Sequence, residues 1–306
     1  MIGALFRRIV WLAAVMGLVL TLSFFLVRTV PGGPFDTDRP MPPAILANLL
    51  RAYEMDAPIH EQYVQYLTRA VGHFDLGPSL RYRDYDVTTI LSESLPISAS
   101  LGAFALAFAL IFGLTAGIIA ALRPRSWLDT LVMGTATLGI AVPNFIVAGL
   151  LILVFVFHWQ WFPVAGWGSL SHLVLPSVAL GLPFAASIAR LFRAGLLETL
   201  TEDHIRTARA KGLSSLKIIT RHATRQALLP VVSYLGPATA GILSGSLVVE
   251  KIFAIAGMGS HFVESAFNAD YNLALGVIIV YTALVLILNL MVDLLYAVLD
   301  PRVEAL

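Results

Sequence analysis

The chain alternates between long apolar runs and polar connections. Six runs contain no Lys, Arg, Asp or Glu, and each is long enough to cross an apolar bilayer core of about 30 Å as a helix. These runs are Ile9–Val27, Ile97–Leu122, Thr130–Phe157, Leu170–Ala189, Gln226–Val249 and Tyr271–Val292. Because lipid offers the backbone no hydrogen-bond partner, each run is predicted to be an α-helix. The sequence therefore predicts an all-α, polytopic membrane protein with six transmembrane helices; a cleaved signal peptide is the alternative reading of the first run.

Two polar connections are long enough to have a role of their own. The first, Pro31–Pro96, contains two predicted short helices, near Pro43–Glu54 and Pro58–Gly72. Apolar residues recur at helical spacing in the second of these, which indicates that it lies on the membrane or on neighbouring helices. The other long connection, Arg190–Arg225, joins the fourth and fifth apolar runs.

The same pattern predicts two parts and an orientation. Residues 1–94 would hold the first helix and the polar region after it, and residues 95–306 a five-helix core with the loop 190–225. Lys and Arg are concentrated in that loop, whereas the short connection His158–Ser169 has neither. Because positive charges favour the cytoplasmic side, we expect the loop and both termini to be cytoplasmic.

Composition narrows the class of protein further. Hydrophobic residues make up 58% of the chain and charged residues 13%, and the mean hydropathy is +0.82. A soluble globular protein has about 25% charged residues, so much of this surface is expected to face lipid. The net charge of +1 lacks the basic excess of a nucleic-acid-binding protein, and the absence of cysteine excludes disulfides and thiolate metal sites.

The loop 190–225 contains the signals of a short, bounded helix. Thr201 is a candidate N-cap, and Glu202 and Asp203 add negative charge to the first turn. Lys211 falls in the last turn, and Gly212 can adopt the left-handed conformation just beyond the helix end. The pattern predicts a helix of about ten residues outside the membrane.

The middle of this short helix combines small and basic residues. Ala208 and Ala210 are expected to leave the backbone accessible, while Arg206, Arg209 and Lys211 provide positive charge. This combination favours docking into a groove of another protein. An ordinary cytoplasmic loop, basic only because of its side of the membrane, is the alternative.

The segment Ile205-Arg206-Thr207-Ala208-Arg209-Ala210-Lys211-Gly212-Leu213 resembles the conserved cytoplasmic loop of ABC-importer permeases, in the form found in the peptide and nickel permeases. The resemblance implies that Ile205, Arg206, Thr207, Ala208, Arg209, Ala210, Lys211 and Gly212 form a coupling helix that docks on an ATPase subunit. Arg206 and Thr207 stand where the general pattern has Glu and Ala, and Arg225 stands at the general position of its trailing proline.

Four other segments resemble motifs of the same family in the same order. They are Pro31–Phe35, Phe74–Ser79, Gly257–Gly259 (with Ala256 in place of a proline) and Val292–Arg302. Within the family, the B-type membrane subunits of oligopeptide permeases are most similar. The resemblance implies a type I ABC-importer permease fold in the bacterial inner membrane. It also implies a second homologous permease, two ATPase subunits that hold ATP and Mg, an extracytoplasmic peptide-binding protein and oligopeptide cargo.

The sequence also bears on functions and cargoes other than oligopeptide import. No Gly-x-x-x-x-Gly-Lys-(Ser/Thr) motif occurs, so ATP is expected to bind to separate subunits and this chain to hold no cofactor. His60-Glu61 begins like a zinc-protease helix, but Val64 stands where the second His is required, so no metal or catalytic residue is assigned. Dipeptides, nickel chelates and glutathione remain alternative cargoes, and a secondary transporter is a further alternative.

Residues that could line a pathway lie in the third and fifth apolar runs. Asn144 follows a proline within the third, and Gly241, Ser244 and Ser246 belong to a small-residue band in the fifth. Close packing of helices is the favoured explanation of such a band, with a pathway wall as the alternative. Pro143, Pro176 and Pro183 are predicted to break or kink their helices.

One carboxylate is assigned a structural role. Asp293 lies at the inner end of the last run, where a charged side chain usually pairs with another or marks a pathway. We expect it to anchor its helix against Arg190 or Arg193 of the fourth run, with a proton relay as the alternative.

Overall fold

The computed structural model describes residues 2–29, 33–35, 42–82 and 84–299. Pro31–Gly32 and Asp300–Arg302, which belong to two of the family motifs, lie outside the described residues. The helices are α1 Ile2–Thr29, α2 Pro43–Ala52, α3 Ile59–Gly72, α4 Val87–Leu122, α5 Trp127–Ala141, α6 Asn144–Leu151, α7 Leu170–Thr199, α8 Asp203–Ala210, α9 Ser215–Ile218, α10 Thr224–Ala227, α11 Leu229–Ile252, α12 Met258–Phe267 and α13 Tyr271–Leu299. Two π-helical segments, Ile152–His158 and Ile219–Ala223, continue α6 and α9. In this part of the chain, the only β pairing is an isolated bridge between Pro78 and Asp86.

Five described helices are long and apolar enough to cross a membrane, which agrees with five of the six predicted spans. They lie within α1, α4, α7, α11 and α13. The remaining predicted span, Thr130–Phe157, is divided into α5 and the helix Asn144–His158, which meet at 106°, so the break predicted at Pro143 is confirmed. The break falls at Pro143, and Val142 before it is extended with a ψ of 122°. Steric conflict with the proline ring disfavours helical conformation in the preceding residue.

The other two prolines do not end their helix. α7 continues through both Pro176 and Pro183, so these prolines do not break it, and the kinks expected there stay a prediction. A helix packed on several sides can keep an internal proline, because neighbouring groups satisfy the carbonyls that the missing N–H leaves exposed. α7 is packed in this way by α5, α6, α10 and α11.

The chain divides into two compact units, each discontinuous in sequence. The first unit comprises Ala99–Ile255 and Val285–Leu306. α7 lies at its centre, and its buried residues form a cluster with residues of α4, α8, α9, α10 and α11. α11 extends three residues beyond the predicted end at Val249, so that the fully buried Glu250 lies inside the helix. The sequence analysis placed one boundary between two parts of the chain, between residues 94 and 95. That boundary stays a prediction.

Within the first unit, α4 and α7 cross at close range through small residues. A Cβ added to Gly113 would lie 2.7 Å from the carbonyl oxygen of Ala185, and one added to Gly117 would lie 2.9 Å from that of Ala189. Gly113 and Gly117 on α4, like Ala185 and Ala189 on α7, have the small-x-x-x-small spacing that lets two helix backbones approach each other. This motif is present in the sequence, but only the structure shows that the two helices meet there.

The second unit comprises Ile2–Ser98 and Ala256–Leu284. In it α3 packs on α1: the Tyr63 hydroxyl lies 2.8 Å from the Thr21 hydroxyl, and the rings of Tyr63 and Phe24 meet edge to face. This confirms that α3 lies on a neighbouring helix. A second cluster joins the start of α4 to α12 and α13. α12, which the sequence analysis did not predict, begins where Met258 N–H donates to the Ser98 hydroxyl at 2.8 Å.

Candidate functional site

The short helix predicted in the loop 190–225 is α8, Asp203–Ala210. It has eight residues rather than about ten. Its N-cap is Glu202, in extended conformation and without a side-chain capping bond. Thr201, the predicted cap, instead donates its hydroxyl to the Glu198 carbonyl at 2.7 Å, so that prediction is wrong. Because Thr201 completes the turn that ends α7, its side chain is not available to α8.

The end of α8 follows the predicted stop signal. Gly212 has a φ of +74°, the left-handed region that glycine enters without steric cost. Leu213 N–H donates to the Ala208 carbonyl at 3.3 Å, and Gly212 N–H donates to the Arg209 carbonyl at 2.9 Å. These two bonds form a Schellman motif, which satisfies carbonyls at the helix end. The prediction for Gly212 is confirmed.

One face of α8 is buried in the first unit. Ile205 is 0% exposed and Ala208 is 6% exposed, and both belong to the cluster centred on α7. Their partners in that cluster include Phe192 and Leu196 of α7 and Ile218 of α9. Ala208 was expected on the accessible side of the helix, and this expectation is wrong. Ile205 and Ala208 therefore fix α8 to the membrane-crossing helices.

A polar contact fixes the start of α8 to α10. The Gln226 side-chain amide donates to one carboxylate oxygen of Glu202, and His204 Nδ1 lies 3.2 Å from the other. Gln226 precedes α11 by only a few residues. The beginning of α8 is thus connected to the helix that leads into the fifth apolar run.

The remaining face of α8 is exposed and positively charged. Arg206 has a side chain that is 72% exposed, and its pair with Asp203, at 3.2 Å, is a surface ion pair of little energetic weight. Thr207, Arg209, Ala210 and Lys211 are also exposed. The structure therefore separates the eight predicted coupling residues into two inner residues that hold the helix and an outer set that a partner could contact.

The candidate pathway residues of the first unit differ in exposure. Ser244 is exposed, whereas Ser246 is buried and donates its hydroxyl to the Leu243 carbonyl at 2.8 Å. A Cβ added to Gly241 would lie 2.8 Å from Phe184, and one added to Gly245 would lie 3.2 Å from the amide nitrogen of Asn144. Close helix packing accounts for these glycines; a role of Asn144, Gly241, Ser244 and Ser246 in transport stays a prediction.

The carboxylate of Asp129, which was not predicted from the sequence, pairs with Arg193 of α7. Arg193 donates from Nε and Nη2 to the two carboxylate oxygens of Asp129, each at 2.6 Å. Asp129 lies in the first turn of α5, and its backbone N–H donates to the Ser126 hydroxyl at 3.3 Å. The sequence signal that could have identified Asp129 is the capping pattern Ser126-x-x-Asp129 before an apolar run.

The side chain of Asp293 in α13 is exposed in this chain. Its role as an anchor for that helix stays a prediction.

No group of three or more His, Cys, Asp or Glu side chains suited to a metal ion occurs in the part of the chain that the structure describes. The loop presents a short helix whose inner face belongs to the cluster centred on α7 and whose outer, exposed face carries Arg206, Arg209 and Lys211. Such an arrangement can receive a mechanical displacement and pass it to the helices beneath.

Comparison with known proteins identifies the relatives of this chain. A profile of the family described as binding-protein-dependent transport system inner membrane component matches residues 113–305. The oligopeptide transport system permease protein OppB of Salmonella typhimurium is 46% identical over 306 residues, covering 99% of this chain and 100% of the relative. The dipeptide transport system permease protein DppB of Bacillus subtilis is 45% identical over 298 residues, covering 97% and 96%.

Solved structures share the fold at lower identity. A chain of the MetNI methionine ABC transporter in an inward-facing conformation superposes with a TM-score of 0.58 and 19% identity, covering 69% of this chain and 96% of that chain. A chain of an amino acid ABC transporter gives a TM-score of 0.54 and 16% identity, covering 68% and 94%. The all-α architecture predicted from the sequence is therefore one that ABC transporter chains adopt.

Proposed function

Because this chain belongs to the family of binding-protein-dependent transport system inner membrane components, we propose that it is the permease subunit of an ATP-driven importer of oligopeptides. The observation that carries the proposal is 46% identity over the whole length of an oligopeptide permease. Its apolar helices and its family make it a multi-pass protein of the inner membrane. With a second homologous permease it would form a translocation pathway, half of it contributed by this chain.

The motor of this importer lies on other subunits. The chain has no phosphate-binding Gly-x-x-x-x-Gly-Lys-(Ser/Thr) motif, so two ATPase subunits would bind ATP and Mg. The exposed residues Arg206, Arg209 and Lys211 would dock in a groove of one ATPase. Since Ile205 and Ala208 are packed against α7 and α9, movement of the ATPase would shift those helices together with α8. The role of α8 is mechanical and involves no chemistry.

The charge distribution supports an orientation for this assembly. Lys and Arg are concentrated in the loop 190–225, which contains α8, and the connection His158–Ser169 has none. With both termini and α8 in the cytoplasm, α8 would face the ATPase subunits, and the connection Pro31–Pro96 would face an extracytoplasmic peptide-binding protein. Peptides vary in their side chains, and Asn144, Gly241 and Ser244, which are exposed or half-buried, would provide uncharged walls for such variable cargo.

Growth on defined peptides tests the cargo. A strain that lacks this gene and requires one amino acid would receive that amino acid as a dipeptide, as a tetrapeptide or in free form. We expect growth to fail only on the tetrapeptide and to return when the gene is restored. Normal growth on the tetrapeptide would contradict the proposed cargo.

Dipeptide import is the second candidate, because the 45% identical relative in Bacillus subtilis is a dipeptide permease. Loss of growth on the dipeptide alone would favour it.

A separate experiment tests whether transport needs an ATPase subunit. Uptake of labelled peptide by vesicles that contain this chain without an ATPase subunit would identify a secondary transporter instead.

A further inference from the structure

A small polar cavity lies within the second unit, at the end of α1. Its volume is about 40 Å³. It is lined by residues of α1, α3, the segment before α3, the segment before α4 and α13: Arg28, Tyr53, Glu54, Met55, Gln62, Gln65, Tyr66, Arg69, Gly77, Leu80 and Asn272. A space of this size holds about three water-sized groups, so it can receive a small polar group but not a peptide. The proposed function gives this cavity no role.

Arg28 is a cation with only neutral partners in this cavity. Its guanidinium carbon lies 3.6 Å from the centroid of the Phe24 ring. Its Nε donates to the side-chain oxygen of Gln62 at 3.3 Å, and Nη1 donates to the Phe24 carbonyl at 3.4 Å. Among the described residues, no carboxylate bonds to it. A partly desolvated guanidinium is stabilised most by an oxyanion that accepts hydrogen bonds from its N–H groups, which lie in one plane.

Tyr66 supplies a second donor that lacks an acceptor. Its side chain lines the cavity and is only 8% exposed, and its hydroxyl has no hydrogen-bond partner in the described part of the chain. Burial raises the pKa of Tyr66, so the phenol keeps its proton and remains a donor. Buried polar groups are nearly always hydrogen-bonded, so the Tyr66 hydroxyl requires an acceptor that enters the cavity from outside the described residues. By contrast, Arg69 on the cavity wall is already paired with Glu54 at 2.8 Å.

We propose that this cavity binds a phosphate group, that of a phospholipid headgroup, through Arg28 and the Tyr66 hydroxyl. Arg28 lies in the last turn of the candidate membrane span Phe6–Thr29, which is the depth at which headgroups lie. The two helices that meet at the cavity also carry exposed apolar side chains, Leu26 on α1 and Val64 on α3. A phosphodiester presents two anionic oxygens, which match one guanidinium and one phenol as donors.

The test uses the intact chain, purified in a mild detergent together with its accompanying subunits. Native mass spectrometry counts the phospholipids that remain bound. We expect Arg28→Gln and Tyr66→Phe each to retain one phospholipid fewer per chain than the wild type. Tyr63→Phe is the matched control, because it removes a phenol one turn away that does not line the cavity and already bonds to Thr21. Arg51→Gln, an exposed arginine of α2 outside the cavity, controls for lost charge.

Thermal unfolding of delipidated protein distinguishes the sources of the phosphate. Added phosphatidylglycerol should raise the unfolding temperature of the wild type and of Tyr63→Phe, but not of Arg28→Gln, and inorganic phosphate should raise none of them. Stabilisation by inorganic phosphate that depends on Arg28 would overturn the lipid assignment, as would equal lipid counts in all variants.

The acids Asp36 and Asp38 follow Arg28 in the sequence, outside the described residues. Equal losses of stability in Asp36→Asn or Asp38→Asn and in Arg28→Gln would show that the chain supplies its own anion, and the proposal would fail.

Discussion

Arg193 of α7 holds Asp129 of α5 through two parallel hydrogen bonds, from Nε to Oδ1 and from Nη2 to Oδ2, each 2.6 Å long. The Asp129 side chain is 6% exposed and that of Arg193 is 25% exposed. Asp129 also accepts from the backbone N–H of Arg125 at 2.8 Å. The pair therefore fixes the turn that begins α5 against the central helix of the first unit, and charge-assisted bidentate pairs of this kind are among the strongest in proteins.

Replacing Asp129 with Asn should strongly destabilise the chain. It leaves Arg193 mostly buried without a counter-ion, and removing one partner of a buried pair costs about 3 kcal/mol. Thermal unfolding of the purified permease in detergent measures the change. Arg206→Gln, which breaks the exposed pair with Asp203, serves as the control and should change stability by less than about 1 kcal/mol.

A double substitution checks that the effect belongs to the pair. Asp129→Asn combined with Arg193→Gln should be less destabilised than the sum of the two single variants, because no unpaired charge remains. Strict additivity would show that the two side chains act separately.

The crossing of α4 and α7 should not tolerate a methyl group. Gly113→Ala would place a Cβ 2.7 Å from the Ala185 carbonyl oxygen, and overpacking of this kind costs about 1–3 kcal/mol. Gly134→Ala makes the same change within α5, at a position with no atom within 4 Å of the added carbon. We expect Gly134→Ala to be neutral or slightly stabilising, since alanine is the better helix former. Equal unfolding temperatures for the two variants would contradict the proposed close crossing.

Gly212 should be required for the end of α8. An alanine at a φ of +74° costs about 1–2 kcal/mol, and the bond from Leu213 N–H to the Ala208 carbonyl would weaken with it. Hydrogen exchange of the Leu213 amide should therefore be faster in Gly212→Ala. Asparagine tolerates the left-handed region better than alanine, so Gly212→Asn should show a smaller increase. The same rate in all three proteins would mean that α8 ends without this turn.

The proposed docking surface predicts a loss of coupling when its charge is reversed. Arg209→Glu should abolish peptide-stimulated ATP hydrolysis by the assembled importer while the chain still inserts into the membrane, because the exposed arginine would contact the ATPase. Lys217→Glu, an exposed basic residue on α9 in the same loop, should keep most of the stimulation. If Arg209→Glu retains normal stimulation, the outer face of α8 is not the contact.

The sequence by itself determined the class of the protein and most of its helices. Uncharged apolar runs predicted five spans correctly, because the requirement for about 20 apolar residues is met by each segment alone. Gly212 marked the end of α8 for the same reason: a left-handed residue after a helix is a local property of the backbone. The family motifs, too, are short stretches read in order along the chain.

The tertiary structure decided what depends on distant residues. The sequence predicted a break at Pro143 but not its angle of 106°. It also did not show that α7 continues through Pro183 or that Asp129 is the partner of Arg193. Ala208 looked accessible in the sequence, yet it is buried because it belongs to the apolar cluster centred on α7. The physical reason is common to these cases: a residue type sets what a side chain can do, whereas the helices packed around it determine which partner it meets.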